Sequence, residues 1–225
     1  MQPSLCDHAQ MPARSATPTP DSVPERLSAD DRREALLDVA KSLVNDSGPG
    51  GITMGVVADQ AGVTRALVYK HFANKHDLLV ALYRREARGI DRAIRAEIVA
   101  APDGFEPKLR AFIGATMDLL DQHAPFFTPL REAGTDQAPR QDQRRRDQRT
   151  VAYFAEVAEQ DFGIDDRTAR SVIAVLFSGI RSLLSQMRSR PGAAQRQFLL
   201  DTYVEMTIGA LTRLAARPSE QADRA

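Results

Sequence analysis

The stretch spanning residues 53–75, TMGVVADQAGVTRALVYKHFANK, constrains this chain more than any other. Val56, Val57, Ala58 and Ala61 recur at helical spacing, so a short helix buries one face there. Thr53 is placed to cap that helix, its hydroxyl accepting a backbone N–H that has no partner within the helix. Gly62 follows the last apolar residue, where a helix C-terminus favours a residue tolerant of positive φ. Val63 is an apolar plug, and Thr64 caps a second helix that starts at Arg65 and carries Leu67, Val68 and Tyr69. Two short helices joined through a glycine turn form a helix-turn-helix, and in such a unit the second helix enters the major groove of DNA.

The run ADQAGVTRALVYKHFANKHDLL resembles the N-terminal domain of the tetracycline-repressor (TetR/AcrR) family of bacterial transcription regulators. Ala58, Ala61-Gly62-Val63, Tyr69, Phe72, Lys75 and the Leu78-Leu79 pair carry the resemblance, which extends over roughly residues 33–83. It implies an all-α chain with a three-helix helix-turn-helix DNA-binding domain at residues 29–75. A larger helical ligand-binding and dimerisation domain at residues 76–216 follows. The rest of the chain has the length and helical character for that second domain but no motif that identifies it.

Composition agrees with an all-helical reading. Hydrophobic residues make up 43% of the 225, enough for a substantial core, while aromatics are 6% and Trp is absent. An aromatic-poor, Ala/Leu/Arg-rich chain favours helices over sheets. The formal charge is +0, so no global positive field draws the protein to DNA, and affinity has to come from a local patch. Arg65, Lys70 and Lys75 against a lone Asp59 supply a modest one. Cys6 is the single cysteine, which excludes an intrachain disulfide and a cysteine metal cluster and makes a reducing cytoplasm the simplest compartment. The N-terminus lacks the apolar core of a signal peptide, and no apolar run approaches the ~20 residues that span a bilayer, so no membrane partner is expected. G-x-S-x-G, H-E-x-x-H and Walker patterns are missing, and His8, His71, His76 and His123 are scattered, so the expectation is no enzyme, no metal and no cofactor.

Taken in order, residues 1–28 hold Pro3, Pro12, Pro18, Pro20 and Pro24 among Ser, Thr, Gln and Ala, too little apolar surface to offset ordering entropy. A disordered tail is expected, with Met1 and Met11 both candidate starts. The first helix begins at Ser28 or Asp30 and carries Leu36, Leu37, Ala40, Leu43 and Val44. The glycine-rich run 45–51 lacks the preceding strand and following Lys-Ser/Thr of a phosphate loop and is expected to be a flexible connector. Ile52 then packs beside Leu43 and Val63. Asn74 and Asp77 approximate a capping box for a long helix with Leu78, Leu79, Leu82, Tyr83, Ile90, Ile94 and Ile98, ending near Ala100. In the body, helices are expected over 106–122 and 125–131, with a polar loop and helix start over 134–150 that includes Arg144-Arg145-Arg146. A helix through Val151 to Phe162 follows, and then two more apolar helices on either side of Pro191-Gly192. A polar tail, 217–225, closes the chain.

On DNA, the first turn of the second short helix reaches base edges. Arg65 is the expected specificity residue, because a bidentate contact to guanine O6/N7 provides roughly 1–3 kcal/mol of discrimination. Ala66 and Leu67 are positioned for thymine methyls. Thr53 and Thr64 lie at the helix starts, and the resemblance implies phosphate contacts from Tyr69, Lys70, His71 and Lys75. The alternatives are a core role for Tyr69 and an ordinary surface role for His71. Gly55 stands where relatives often carry a polar or basic residue, which removes one phosphate contact.

The resemblance also implies a ligand cavity among the middle helices, for which Phe105, Phe112, Met117, Phe126, Phe127, Tyr153, Phe154 and Phe177 are the candidates, pointing to a hydrophobic or aromatic effector. The last two helices are apolar around more than one face. The resemblance implies that they pair across a two-fold axis, with Ile173, Phe177, Ile180, Leu184, Tyr203, Met206 and Leu211 at a homodimer interface. A dimer sets its reading helices about 34–36 Å apart and calls for a palindromic operator in double-stranded DNA. The expected function is a repressor released by a small-molecule effector. The rivals are an activator of the same fold and a helical ligand- or partner-binding protein with a vestigial head.

Overall fold

A computed structural model describes residues 28–135, 140–187 and 192–217. The expected disordered tail, save Ser28, and the polar C-terminal tail, save Arg217, lie outside the described residues. Within them the fold is all helical: α1 (Ala29–Ser47), α2 (Met54–Gln60), α3 (Arg65–His71), α4 (Lys75–Ala100), α5 (Phe105–Glu132), α6 (Arg140–Phe162), α7 (Asp166–Met187) and α8 (Ala193–Ala215).

Helix α1 opens on Ser28, whose hydroxyl accepts the Asp31 N–H at 3.0 Å, with Asp30 and Asp31 in its first turn against the helix dipole. The glycine-rich stretch after it is more ordered than a flexible connector: Pro49–Gly51 forms a 3₁₀ turn, and Lys75 Nζ donates to the Gly50 carbonyl at 3.2 Å. Proline at the start of that turn presets φ, and the lysine satisfies a carbonyl that glycine leaves open. Helix α4 starts as read, with the Asn74 side chain accepting from the Asp77 N–H at 2.9 Å, and ends at Ala100.

Two readings of the body are corrected. The helices placed at 106–122 and 125–131 are one, α5, which runs through Pro125 and Pro129. A proline takes an N–H out of the helix ladder. Here the face just beyond Pro125 buries Phe126, Phe127 and Leu130, and tertiary packing of that kind outweighs local propensity. The polar run 134–150 is helical from Arg140 onward, residues 136–139 being outside the described set. Its Arg and Gln side chains are good helix formers, and two of its charged residues tie α6 to α4: Arg146 Nε lies 2.7 Å from Asp91 Oδ2, and Asp142 Oδ2 lies 3.1 Å from Arg84 Nε.

Two apolar clusters result. The first gathers Leu36, Leu37, Ala40 and Val44 of α1, Ile52, Val57, Ala58, Val68, Phe72 and the Leu78–Leu82 turn of α4, and closes with Phe126, Phe127 and Leu130 of α5. The second joins α5, α6, α7 and α8 around Phe105, Ile113, Met117, Phe154, Ile173 and Leu211. Helix α5 packs along α4, and α6 along α7. The start of α5 has no side-chain cap of its own, since Gly104 sits there at φ +109°. Asp161 of α6 supplies the acceptor instead, taking the Phe105 N–H at 2.6 Å. Among the described residues no helix is long and apolar enough to cross a membrane.

Candidate nucleic-acid interface

Helices α2 and α3 have seven residues each, too few to hold themselves together in water. Their ends and one face do it for them. Thr53 Oγ1 accepts the Val56 N–H at 3.1 Å, and Thr64 Oγ1 accepts the Leu67 N–H at 3.3 Å. Each cap contributes about 1 kcal/mol. Between the helices Gly62 adopts φ +64°, so that the Val63 N–H reaches the Ala58 carbonyl at 3.0 Å and the Gly62 N–H that of Asp59 at 3.2 Å. That pair of bonds is a Schellman turn, and a Cβ at residue 62 would strain it.

Packing then decides which side chains face out. Val57, Ala58, Val68 and Phe72 are buried, whereas Thr53, Thr64, Arg65, Ala66 and Lys70 are exposed. Tyr69 is 53% exposed, which rules out a core role for it. Leu67, His71 and Lys75 are half-buried. The His71 and Phe72 ring centroids lie 6.5 Å apart, and the Arg33 guanidinium sits 4.8 Å above the Phe72 ring. Lys75 is engaged by the Gly50 carbonyl, so its ammonium is held at the base of α4 rather than swinging free. The face therefore offers Arg65 and Lys70 as exposed cations, Tyr69 as an exposed phenol, and Ala66 and Leu67 as small apolar surface between them. That combination suits an anionic backbone with base edges behind it.

Away from this face, the expected ligand residues fall into two groups. Phe105, Phe112, Met117, Tyr153, Phe154 and Phe177 meet in the second cluster, but Phe126 and Phe127 belong to the first. There Phe127 stacks edge-on against Tyr83 at 4.9 Å. Phe154 is the hub of the second cluster, its centroid 5.6 Å from Phe105, 5.5 Å from Phe112, 5.2 Å from Tyr153 and 5.1 Å from Phe177. A cavity of about 420 Å³ lies elsewhere, between the end of α3 and α4, where Arg33, His71, Asp77, Arg84 and Arg88 surround Phe72 and Val80. A second, of about 440 Å³, is lined by Pro49, Asn74, Lys75, His76, Leu79 and Ala133.

The residues expected at a dimer interface also divide. Ile173, Ile180 and Leu211 are buried in the chain's own core, which corrects their assignment to an outer face. Phe177, Leu184 and Tyr203 are half-buried; the Tyr203 hydroxyl donates to the Leu176 carbonyl, and burial pushes its pKa up to about 12. Met206 is 67% exposed, and Val175 (70%) and Phe198 (62%) join it as exposed apolar residues that sequence reasoning missed. The signal was present. Val175 lies two residues from Ile173, on the far side of α7 from the buried stripe, and Phe198 and Met206 lie off the Val204–Leu211 stripe of α8.

Comparison with known proteins fits this geometry. Residues 36–82 match the model for "Bacterial regulatory proteins, tetR family". The chain is 29% identical over 102 residues to the HTH-type transcriptional activator FasR of Mycolicibacterium smegmatis, an alignment covering 45% of this chain and 46% of that protein, so it spans about half of that relative. It is 27% identical over 201 residues to an uncharacterized HTH-type transcriptional regulator of Mycobacterium tuberculosis, covering 84% of this chain and 92% of the other. A solved TetR-family transcriptional regulator from Streptomyces coelicolor shares the fold, with a TM-score of 0.57 at 20% identity over 83% of this chain and 99% of that one. The capped and turned helix pair lies inside the matched segment, so residues 36–82 are the part of the chain that is similar to the tetR family of bacterial regulatory proteins.

Proposed function

We propose that the chain is a homodimeric, effector-responsive transcriptional repressor, with residues 29–75 as the reading head and 76–216 as the part that pairs and takes up the effector. One observation carries the DNA-reading half of this: α3 keeps Val68 buried while Arg65, Ala66, Tyr69 and Lys70 are exposed beside two threonine-capped helix starts. In the proposal Arg65 reads a base, Ala66 and Leu67 meet thymine methyls, and Thr53, Thr64, Tyr69, Lys70, His71 and Lys75 hold the backbone. The exposed Val175, Phe198 and Met206 support pairing through α7 and α8, since apolar side chains on the outside of two neighbouring helices gain most when a second copy covers them. A hydrophobic or aromatic effector among the rings around Phe154 would bear on α4 through α5 and alter the spacing of the two heads, a coupling typically of about 1–3 kcal/mol.

The test is binding of the purified chain to duplex DNA from upstream of its own gene and to genome-selected fragments, titrated against salt. Competitor-resistant binding with a salt slope that reflects several released counterions is the expected result. Loss of all binding to competitor on every fragment would overturn the reading and favour a ligand-binding protein with a vestigial head. An activator is the second reading, favoured by the similarity to FasR. Transcription from the bound promoter that falls when the gene is deleted, rather than rises, would decide for it.

A further inference from the structure

Gly55 is buried although it stands in the first turn of α2, beside exposed Thr53 and Val56. What covers it is Arg65. A Cβ added at Gly55 would lie 2.7 Å from Arg65 Nη2, 2.8 Å from Cζ and 2.9 Å from Nε. The three closest atoms are thus all of one guanidinium, and no backbone atom stands among them. Arg65 itself remains exposed at the first position of α3. Its side chain lies back across the start of α2, with the guanidinium resting on the bare glycine.

We infer that Gly55 is a specificity-determining position: by lacking a side chain it forms the seat that aims Arg65, so that a residue never touching a base governs which base pair is read. The inference rests on the function proposed above. An arginine on a flexible stem loses rotamer freedom when it engages a base, and a seat that restricts it beforehand lowers that loss. A methyl at residue 55 takes the seat away. Because the obstructed group is the far end of a long side chain, the arginine swings aside while the fold stays intact. Gly55 has no positive φ, so alanine also suits the helix better than glycine does. Replacement therefore moves stability and specificity in opposite directions, which a packing role for Gly55 would not do.

The experiment uses the full chain. Wild type first selects duplexes from a random pool. Dissociation constants are then measured for the selected duplex, for each of its single base-pair variants and for unrelated DNA, with wild type, Gly55→Ala, Arg65→Ala and the double variant. Discrimination at one base pair in each half-site is expected to fall by about tenfold to a hundredfold in Arg65→Ala, the range of a lost bidentate contact. Gly55→Ala should lose most of the same discrimination at the same base pair, and the double variant should match Arg65→Ala alone. Affinity for unrelated DNA in Gly55→Ala should stay within about twofold of wild type, with a melting temperature equal or higher. Discrimination unchanged in Gly55→Ala, an effect persisting undiminished in the Arg65→Ala background, or a lowered melting temperature would each overturn the inference while leaving the proposed function standing. A wild type that selects no duplex would overturn the proposed function and this inference with it.

Discussion

The head and the body of this chain are both helical, yet they are held by different means. Around α2 and α3 the caps and the turn are short in sequence: Thr53 to Val56, Thr64 to Leu67, Val63 to Ala58. In the body the corresponding contacts join distant residues. Asp161 caps α5 from 56 residues away, Arg196 clasps Asp118 and Asp121 from 78 and 75 residues away, and Arg110 pairs with Asp201. The apolar fillings differ as well, mostly aliphatic in the head and a group of stacked rings centred on Phe154 in the body. Local capping sets the ends of each short helix, while packing of one face against α1, α4 and α5 holds the helix in place. The body's clasps are between helices, where a change in packing can be passed on.

That contrast can be tested by breaking each side. The largest effect should come from Phe154→Ala, which removes the ring that four others touch and costs about 3–5 kcal/mol by chemical denaturation; a loss under about 1 kcal/mol would show that the rings are not the body's support. Next stand the caps. Thr53→Ala and Thr64→Ala should each lower stability by about 1 kcal/mol and weaken DNA binding further, because each loosens the start of a presented helix. Equal losses of binding and stability would mean that the caps matter for folding alone.

The ion pairs on α4 sharpen the comparison through pH. Burial pushes the Glu86 carboxyl up, but hydrogen bonds from Lys41 and Arg85 outweigh it and hold the group below the usual glutamate range. Its contribution is complete above that range and is lost as pH falls through it. Asp91, which α6 meets through Arg146, goes the other way: burial dominates over Arg146 and Arg95, and its pKa is raised. A raised acid contributes most below the ordinary aspartate range and loses that contribution as pH rises through the higher value. At neutral pH Glu86→Gln should therefore cost about 1 kcal/mol, discounted for partial solvent screening, and should flatten the acid limb of stability. Asp91→Asn should cost less than Glu86→Gln, measured as the urea midpoint from about pH 2 to 8, which reaches below the ordinary carboxylate range. The smallest effect on stability belongs to Tyr69→Phe: within about 0.5 kcal/mol, since the side chain is exposed. Its affinity for operator DNA should drop all the same if the phenol holds a phosphate.

The same contrast explains what could be read from residue order alone. Caps, the glycine turn and the buried face of α2 and α3 involve residues within five positions of one another, so Thr53, Gly62 and Thr64 were legible, as was the exposed set from Arg65 to Lys70. The long helix α4 and both of its ends were legible for the same reason. Proline chemistry at Pro125 suggested a break in α5, because the counterweight, burial of Phe126, Phe127 and Leu130 against a distant helix, has no local signature. Polar residues over 140–150 looked like a loop for want of an apolar stripe, while their partners Asp91 and Arg84 sat some fifty residues upstream. Apolarity showed that α7 and α8 carry more hydrophobic surface than one core uses, but Ile173 and Leu211 proved to be core, and Val175 and Phe198 the outward residues. The seat at Gly55 is invisible in sequence, where it reads only as a missing contact.

Helix α5 carries one further consequence. Its 28 residues span about 42 Å, with Phe105 and Ile113 embedded in the body's cluster and Phe126, Phe127 and Leu130 embedded in the head's. A single rod is thus a structural member of both cores, and neither can melt without uncovering apolar surface on the other's support. Heat should accordingly unfold the described chain in one cooperative step, with calorimetric and van't Hoff enthalpies equal. A head cut away at the end of α4 would lose three aromatic and aliphatic side chains from its own interior. The helix-turn-helix, self-sufficient in its turns and caps, borrows its floor from the far end of the molecule.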